Sequence, residues 1–269
     1  MDHMHWQRIE ELFELAYAQP VEARRRVLAE ACGLDVSLCD EIEAMLAAAG
    51  PDRALAIERF IVDRASDAER AFREAFEQHV ALLGEHHWRV GNIARNIGQI
   101  LSLQQQHAAA LPWLDRAIAI GAAAKKPESP GLEYMRTQRA WILFRLGRRA
   151  EALEAVTRAV SVLERMKGPN DGYALASSRT TLARMLSRMG RPGQAEAPAR
   201  AALALFERWG RANPNYASAE CELGRAKVLQ GAVAEGRATL ERCLPIFRAW
   251  GQGDREIVES IERLLADSK

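Results

Sequence analysis

Residues 140–162 read AWILFRLGRRAEALEAVTRAVSV. The stretch holds a small residue, Ala140, on an apolar helical run, then Gly147 in a basic turn, then Ala152 and Ala159 on a second run. Ala152 and Ala159 lie seven residues apart, two helical turns, so they share one stripe along which another helix comes close. Gly147 suits the left-handed conformation that ends a helix. The same order recurs in GQILSLQQQHAAALPWLDRAIAI (98–120), ARMLSRMGRPGQAEAPARAALAL (183–205) and GRAKVLQGAVAEGRATLERCLPI (224–246). The four segments start 42, 43 and 41 residues apart, with Gly190 and Gly231 repeating Gly147. Repetition at such a period predicts stacked helix–turn–helix units, each burying its apolar face only against its neighbours.

The whole chain fits that reading. It has 269 residues, of which 48 are alanine and 48% are apolar, with 6% aromatic. Alanine is both the best helix former and a small packing residue, so the composition predicts close-packed helices and excludes a β-sandwich. Lys+Arg number 37 and Asp+Glu 36, which argues against a generally basic nucleic-acid binder.

The small-residue pattern and the helical hairpin resemble tetratricopeptide repeats, and the period near 42 is similar to the longer variant of kinesin light chains. That variant often closes its second helix with an apolar-Gly pair, as in Leu83-Gly84, Trp209-Gly210 and Trp250-Gly251, and more loosely Lys167-Gly168. Ala68, Phe72 and Ala75 extend the register backwards, so 66–83 reads as the second helix of a degenerate opening repeat. Residues 254–266 read as a capping helix, and KKPESPG (125–131) as an insertion. The resemblance implies an all-α, right-handed α-solenoid of stacked helix–turn–helix repeats over 66–269, preceded by a small N-terminal helical module.

That module, 1–50, reads as three helices: WQRIEELFELAYAQP stopped by Pro20, VEARRRVLAEACG closed by Gly33, and LDVSLCDEIEAMLAAAG ending at Gly50-Pro51. Its apolar pattern, Trp6, Ile9, Leu12-Phe13, then Val27-Leu28 and Cys32, then Leu38, Ile42 and Leu46, resembles the leader of bacterial Hanks-type serine/threonine kinases. The kinase signatures themselves are missing: there is no Gly-rich phosphate loop, VAIK-like lysine, HRD loop or DFG. Residues 51–65 read as a linker or partly helical hinge.

Little else in the sequence points to chemistry. No GxSxG, HExxH, Walker or EF-hand pattern occurs. The expectation is therefore a non-enzyme with no catalytic residue, metal or cofactor. Cys32, Cys39, Cys221 and Cys243 lack CxxC spacing and read as free thiols in a reducing cytoplasm. No secretory signal or membrane span is evident, so the expected localisation is cytoplasmic. Trp6, Trp88, Trp113, Trp209 and Trp250 read as core or inter-repeat wedges. Helix 34–49 carries Asp35, Asp40, Glu41 and Glu43 without Lys or Arg, which disfavours DNA reading.

Charge divides unevenly between the two helices of each repeat. Over the first helices, taken as 88–103, 132–146, 174–189 and 216–230, there are ten Lys/Arg against three Asp/Glu. In the family that layer lines the concave side. The residues expected there are Asn92, Arg95, Asn96, Gln99, Tyr134, Gln138, Trp141, Arg145, Arg184, Arg188 and Arg225. Guanidinium forks suit carboxylates, amides hold a peptide backbone, and Tyr134 with Trp141 offers an apolar anchor. The expectation is a scaffold that binds a protein or peptide, acidic in character, in a kinase-linked bacterial signalling setting. Three alternatives stand beside the groove: solvated arginines, arginines paired with acids of neighbouring helices, and a self-association surface. A peptide- or small-molecule-sensing regulator, with the N-terminal helices as effector, is the alternative function.

Overall fold

The computed structural model describes residues 53–123, 129–166, 172–211, 213–249 and 255–267, together with isolated positions among the first fifty. The chain divides into two compact units, 1–68 and 69–269. In the first, Leu12, Leu28 and Ile42, one from each expected helix, are helical and buried. Otherwise the helices expected over 1–50 lie outside the described residues, as do Trp6, Cys32 and Cys39.

Ten α-helices are described from residue 53 onward. They are α1 (Arg53–Leu83), α2 (Trp88–Leu103), α3 (His107–Ala123), α4 (Pro130–Arg145) and α5 (Arg149–Arg165). Then come α6 (Gly172–Arg188), α7 (Pro192–Phe206), α8 (Pro214–Leu229), α9 (Val233–Ala249) and α10 (Arg255–Asp267), with a 3-10 turn at Glu207–Trp209. No strand occurs among the described residues. The chain is all-α, and α2–α9 form four helical hairpins in the predicted register. The hinge expected at 51–65 and the helix expected at 66–83 run together in α1, 31 residues long. No described helix is long and apolar enough to cross a membrane.

The small-residue stripe is the seam of each hairpin. Ala140, Ala152, Ala183, Ala195, Ala110 and Ala117 are all completely buried, so the two helices approach at backbone distance. In the last hairpin the seam leaves no room for a side chain at Gly236. A Cβ on Gly236 would stand 2.5 Å from Val228 Cγ2 and 2.7 Å from the Val228 backbone nitrogen. The turns follow the sequence as well: Gly147, Gly190 and Gly231 have φ of 84°, 74° and 88°. The first repeat has Gln105 at that position, held at φ 61°. A non-glycine residue bears a steric cost in that region, so the turn is kept by its surroundings.

Each hairpin packs on the next mainly by laying its second helix against the next hairpin's first helix, with first helices also in contact. The α4 and α6 helices touch directly, as do α6 and α8. Thr137 and Ser178, 41 residues apart, join α4 to α6 by a buried hydroxyl–hydroxyl bond of 2.7 Å. Second helices of neighbouring repeats stand further apart, which leaves furrows between them over the first-helix layer.

Two expectations need correction. Cys221 and Cys243 are not free thiols: they form a disulfide between α8 and α9, both buried, with Cα atoms 5.7 Å apart. Their separation of 22 residues hides the pairing in the sequence, because only the packing of the hairpin brings them together. Trp88 is no wedge either; at 56% exposure it stands on the surface beside His87 and Arg89. Trp113 does pack into the core with Phe76.

Candidate functional site

The eleven residues expected on the first-helix layer fall at few repeat positions. Asn92, Tyr134 and Ser218 are equivalent, as are Asn96, Gln138 and Glu222, and Gln99, Trp141, Arg184 and Arg225. Helical periodicity carries all of them to one side of the layer, and the structure gathers them into two groups.

The first group lies toward the N-terminal ends of the first helices. Asn92 and Arg95 of α2, Tyr134 and Met135 of α4, and Tyr173 of α6 line a hollow of about 380 Å³. The Tyr134 and Tyr173 rings meet edge-on at 5.8 Å. Burial, with Tyr173 adding to it, pushes the Tyr134 hydroxyl up to about 12, against the opposing pull of Arg95 and a hydrogen bond from Gln138. Arg95 donates to Gln99 Oε1 at 2.9 Å, which fixes the guanidinium along the wall. Asn96 is half-buried on the same helix. Tyr173 was not among the expected residues; it opens α6 just after the polar loop, where periodicity is weakest.

The second group lies toward the C-terminal ends. The Trp141 ring is stacked on Phe144 at 5.6 Å and 9°. Three guanidiniums surround it: Arg184 at 5.3 Å, Arg188 at 5.7 Å and Arg145 at 5.9 Å from the ring centre. These distances are within the range of cation–π attraction. Arg145 also donates to Gln105 Oε1 at 2.7 Å, so the strained turn of the first repeat and the second repeat's arginine hold each other.

Behind the ring sits Glu222 of α8, almost wholly buried. Arg184 Nε donates to its Oε1 at 2.8 Å, and Arg225 Nε stands 3.4 Å from its Oε2. Arg184 reaches Ser218 Oγ at 2.7 Å, and Arg225 reaches Ser260 Oγ of the capping helix at 2.8 Å. Burial lowers the pKa of Arg225; Glu222 opposes that, while Arg188 and Arg184 reinforce it. Two guanidiniums thus share one carboxylate in a water-poor setting, where Coulomb forces are strong.

The arginines therefore divide. Arg184 pairs with Glu222 of the neighbouring first helix, one of the alternatives left open by the sequence, whereas Arg225 pairs with it within one helix and is buried. Arg95, Arg145 and Arg188 are half-buried on the same face. Charge counting included Glu222 among the three acids of the layer without singling it out; its spacing from Arg225, three residues on one helix face, signalled that pair but not the bond to Arg184. Among the described residues no group of histidines, cysteines or carboxylates is arranged to hold a metal ion.

Comparison with known proteins agrees with this architecture. Residues 132–208 match the tetratricopeptide-repeat family model. No curated protein sequence matches the chain. Among solved structures, BtubC (BKLC) from P. vanneervenii is similar with a TM-score of 0.55 and 19% identity, covering 77% of this chain and 82% of its own. A Rap protein complexed with Competence and Sporulation Factor is similar with a TM-score of 0.54 and 13% identity, over 99% of this chain and 87% of its own. Kinesin-light-chain repeats from Podosopora anserina align with a TM-score of 0.49 and 21% identity, over 70% and 93%. At these identities the likeness is one of fold.

Proposed function

We propose that this array of tetratricopeptide repeats is a non-enzymatic scaffold, and that its first-helix layer forms a groove for an acidic segment of a partner protein. One observation carries the reading: Trp141 is ringed by guanidiniums, behind which Arg184 and Arg225 share the single carboxylate of Glu222. A partner carboxylate entering beside Trp141 meets a positive surplus and an aromatic face. The hollow at Tyr134 and Tyr173 then takes an apolar or amide side chain of the same segment, with Asn92 and Arg95 at its rim. The two groups together would set direction and register along the groove. A Rap protein of similar fold is complexed with Competence and Sporulation Factor, which is in keeping with a ligand-holding array. The kinase-linked setting rests on the leader resemblance of 1–50, largely outside the described residues.

The test must spare the buried framework. Reversing Arg225 or Arg184 would set a second carboxylate against Glu222 and disrupt the fold. Arg95→Glu and Arg145→Glu lie at the half-buried rim and leave Glu222 paired. An acidic peptide, Ac-(Glu-Ala)4-amide, should bind the wild-type array with an affinity that falls as salt rises, and the double variant should lose at least tenfold. Unchanged binding by a folded double variant would refute the groove.

A further inference from the structure

The opposite side of the array holds a second feature, independent of the groove. At two of the junctions where second helices stand side by side over a first helix, side chains bridge the furrow between them. Between α1 and α3 it is closed by Trp113, whose indole meets Phe76 edge-on at 5.2 Å with the Arg73 guanidinium 5.0 Å from its ring. Between α3 and α5, Arg139 rises from the floor to Asp115 at 2.5 Å and Glu151 at 3.8 Å.

Between α5 and α7 the chain supplies no such plug. In the repeat register Pro198 stands where Trp113 does, Val160 where Phe76 does and Thr157 where Arg73 does, while Leu182 replaces Arg139. These side chains are too short to meet across the furrow. A cleft of about 470 Å³ remains, floored by Leu182 and Leu186 and walled by Val160 and Pro198. One end is closed by the Arg179–Glu164 pair at 2.8 Å. At the other end is Arg191, exposed; its backbone is bonded to Leu186 and Gln194, while its guanidinium has no hydrogen bond or ion pair among the described residues.

We propose that this cleft binds an aromatic side chain of a partner segment that also carries a neighbouring carboxylate. The ring lies between Val160 and Pro198 as Trp113 lies against Phe76, and the carboxylate meets Arg191. The opening junction is the precedent within the chain: the same architecture encloses an indole flanked by a guanidinium. The volume lies within the range of ligand pockets, roughly 300–1,000 Å³, and an apolar ring gains most where the lining is apolar and the charge stands at the mouth.

The experiment follows the methyl resonances of Val160, Leu182 and Leu186 while the full chain is titrated with N-acetyl-Asp-Trp-amide. Saturable shifts are expected with this probe and none with N-acetyl-Asp-Ala-amide. Pro198→Trp and Ala201→Phe, which fill the cleft from within, should abolish the shifts. Arg191→Glu, an exposed change, should weaken binding of the Asp-Trp probe at least threefold and leave binding of N-acetyl-Trp-amide unchanged. Arg145→Glu, on the other face, should leave every shift in place, which separates this site from the groove. The proposal is overturned by absent shifts at the solubility limit, by equal response to the alanine probe, by saturable binding to a folded filled variant, or by indifference to Arg191→Glu.

Discussion

Replacing Glu222 by glutamine is the most informative single perturbation of the repeat core. The side chain keeps its shape and one carbonyl acceptor for Arg184, but the charge shared by Arg184 and Arg225 is gone. Its amide group then faces Arg225 Nε across the present 3.4 Å separation. Removing one partner of a buried pair costs about 3–5 kcal/mol, and a retained hydrogen bond returns about 1 kcal/mol of this, so the expected loss is about 2–4 kcal/mol. For a chain of this size that corresponds to a fall in Tm of roughly 5–15 °C. Repeats couple mainly to their neighbours, so the loss should be local. Amide exchange should accelerate in α6, α8 and α10, which Arg184, Glu222 and Ser260 join, while α2 and α3 keep their protection. A double-mutant cycle with Arg184→Gln should show coupling above about 1 kcal/mol. A change in stability below about 0.5 kcal/mol, or protection lost evenly along the chain, would refute the role assigned to Glu222.

Other outcomes follow from the same packing. Reducing the Cys221–Cys243 bond, or changing Cys243 to serine, should lower stability by about 3 kcal/mol on the loop-closure argument, read by urea denaturation with and without dithiothreitol; on thiol counting, reduction should free both cysteines and the serine change Cys221 alone. Gly236→Ala should cost about 2–3 kcal/mol, because the added methyl meets the Val228 backbone and the Gly224 carbonyl. Gly193→Ala, whose methyl would find only the tip of Gln230, should gain about 0.5–1 kcal/mol in thermal melts. Tyr134 keeps its proton in the folded chain to about 12 from an ordinary 10.0. Its contribution to stability is therefore complete below pH 10 and declines as pH rises toward 12. Titration at 295 nm should show a late-ionising phenol that Tyr134→Phe removes.

Much of the fold was legible because the seam writes itself as alanine and glycine at fixed spacing. Ala140, Ala152 and Ala159 place a hairpin, and its period places the others; even the turn positions hold, down to Gln105 where the glycine is missing. The site was legible by face but not by partner. Periodicity brings Trp141, Arg184 and Arg225 together, yet no pattern along the chain says that Glu222 turns inward to two of them, since that depends on neighbouring first helices in contact. The Cys221–Cys243 bond was hidden for the same reason, and Trp88 was misjudged because an aromatic at a helix start looks the same whether it faces core or water. The cleft beneath Pro198 emerges only when repeats are superimposed and the missing bulk is counted.

Site-specific photocrosslinking reads out directly whether the first-helix layer holds the acidic segment. A benzoylphenylalanine side chain is placed at position 92 or 145 on the first-helix layer, and at the exposed positions 154 or 158 on α5, in the presence of the acidic peptide. Crosslinked peptide is expected from positions 92 and 145 and none from 154 and 158. Crosslinks confined to 154 and 158 would contradict the groove.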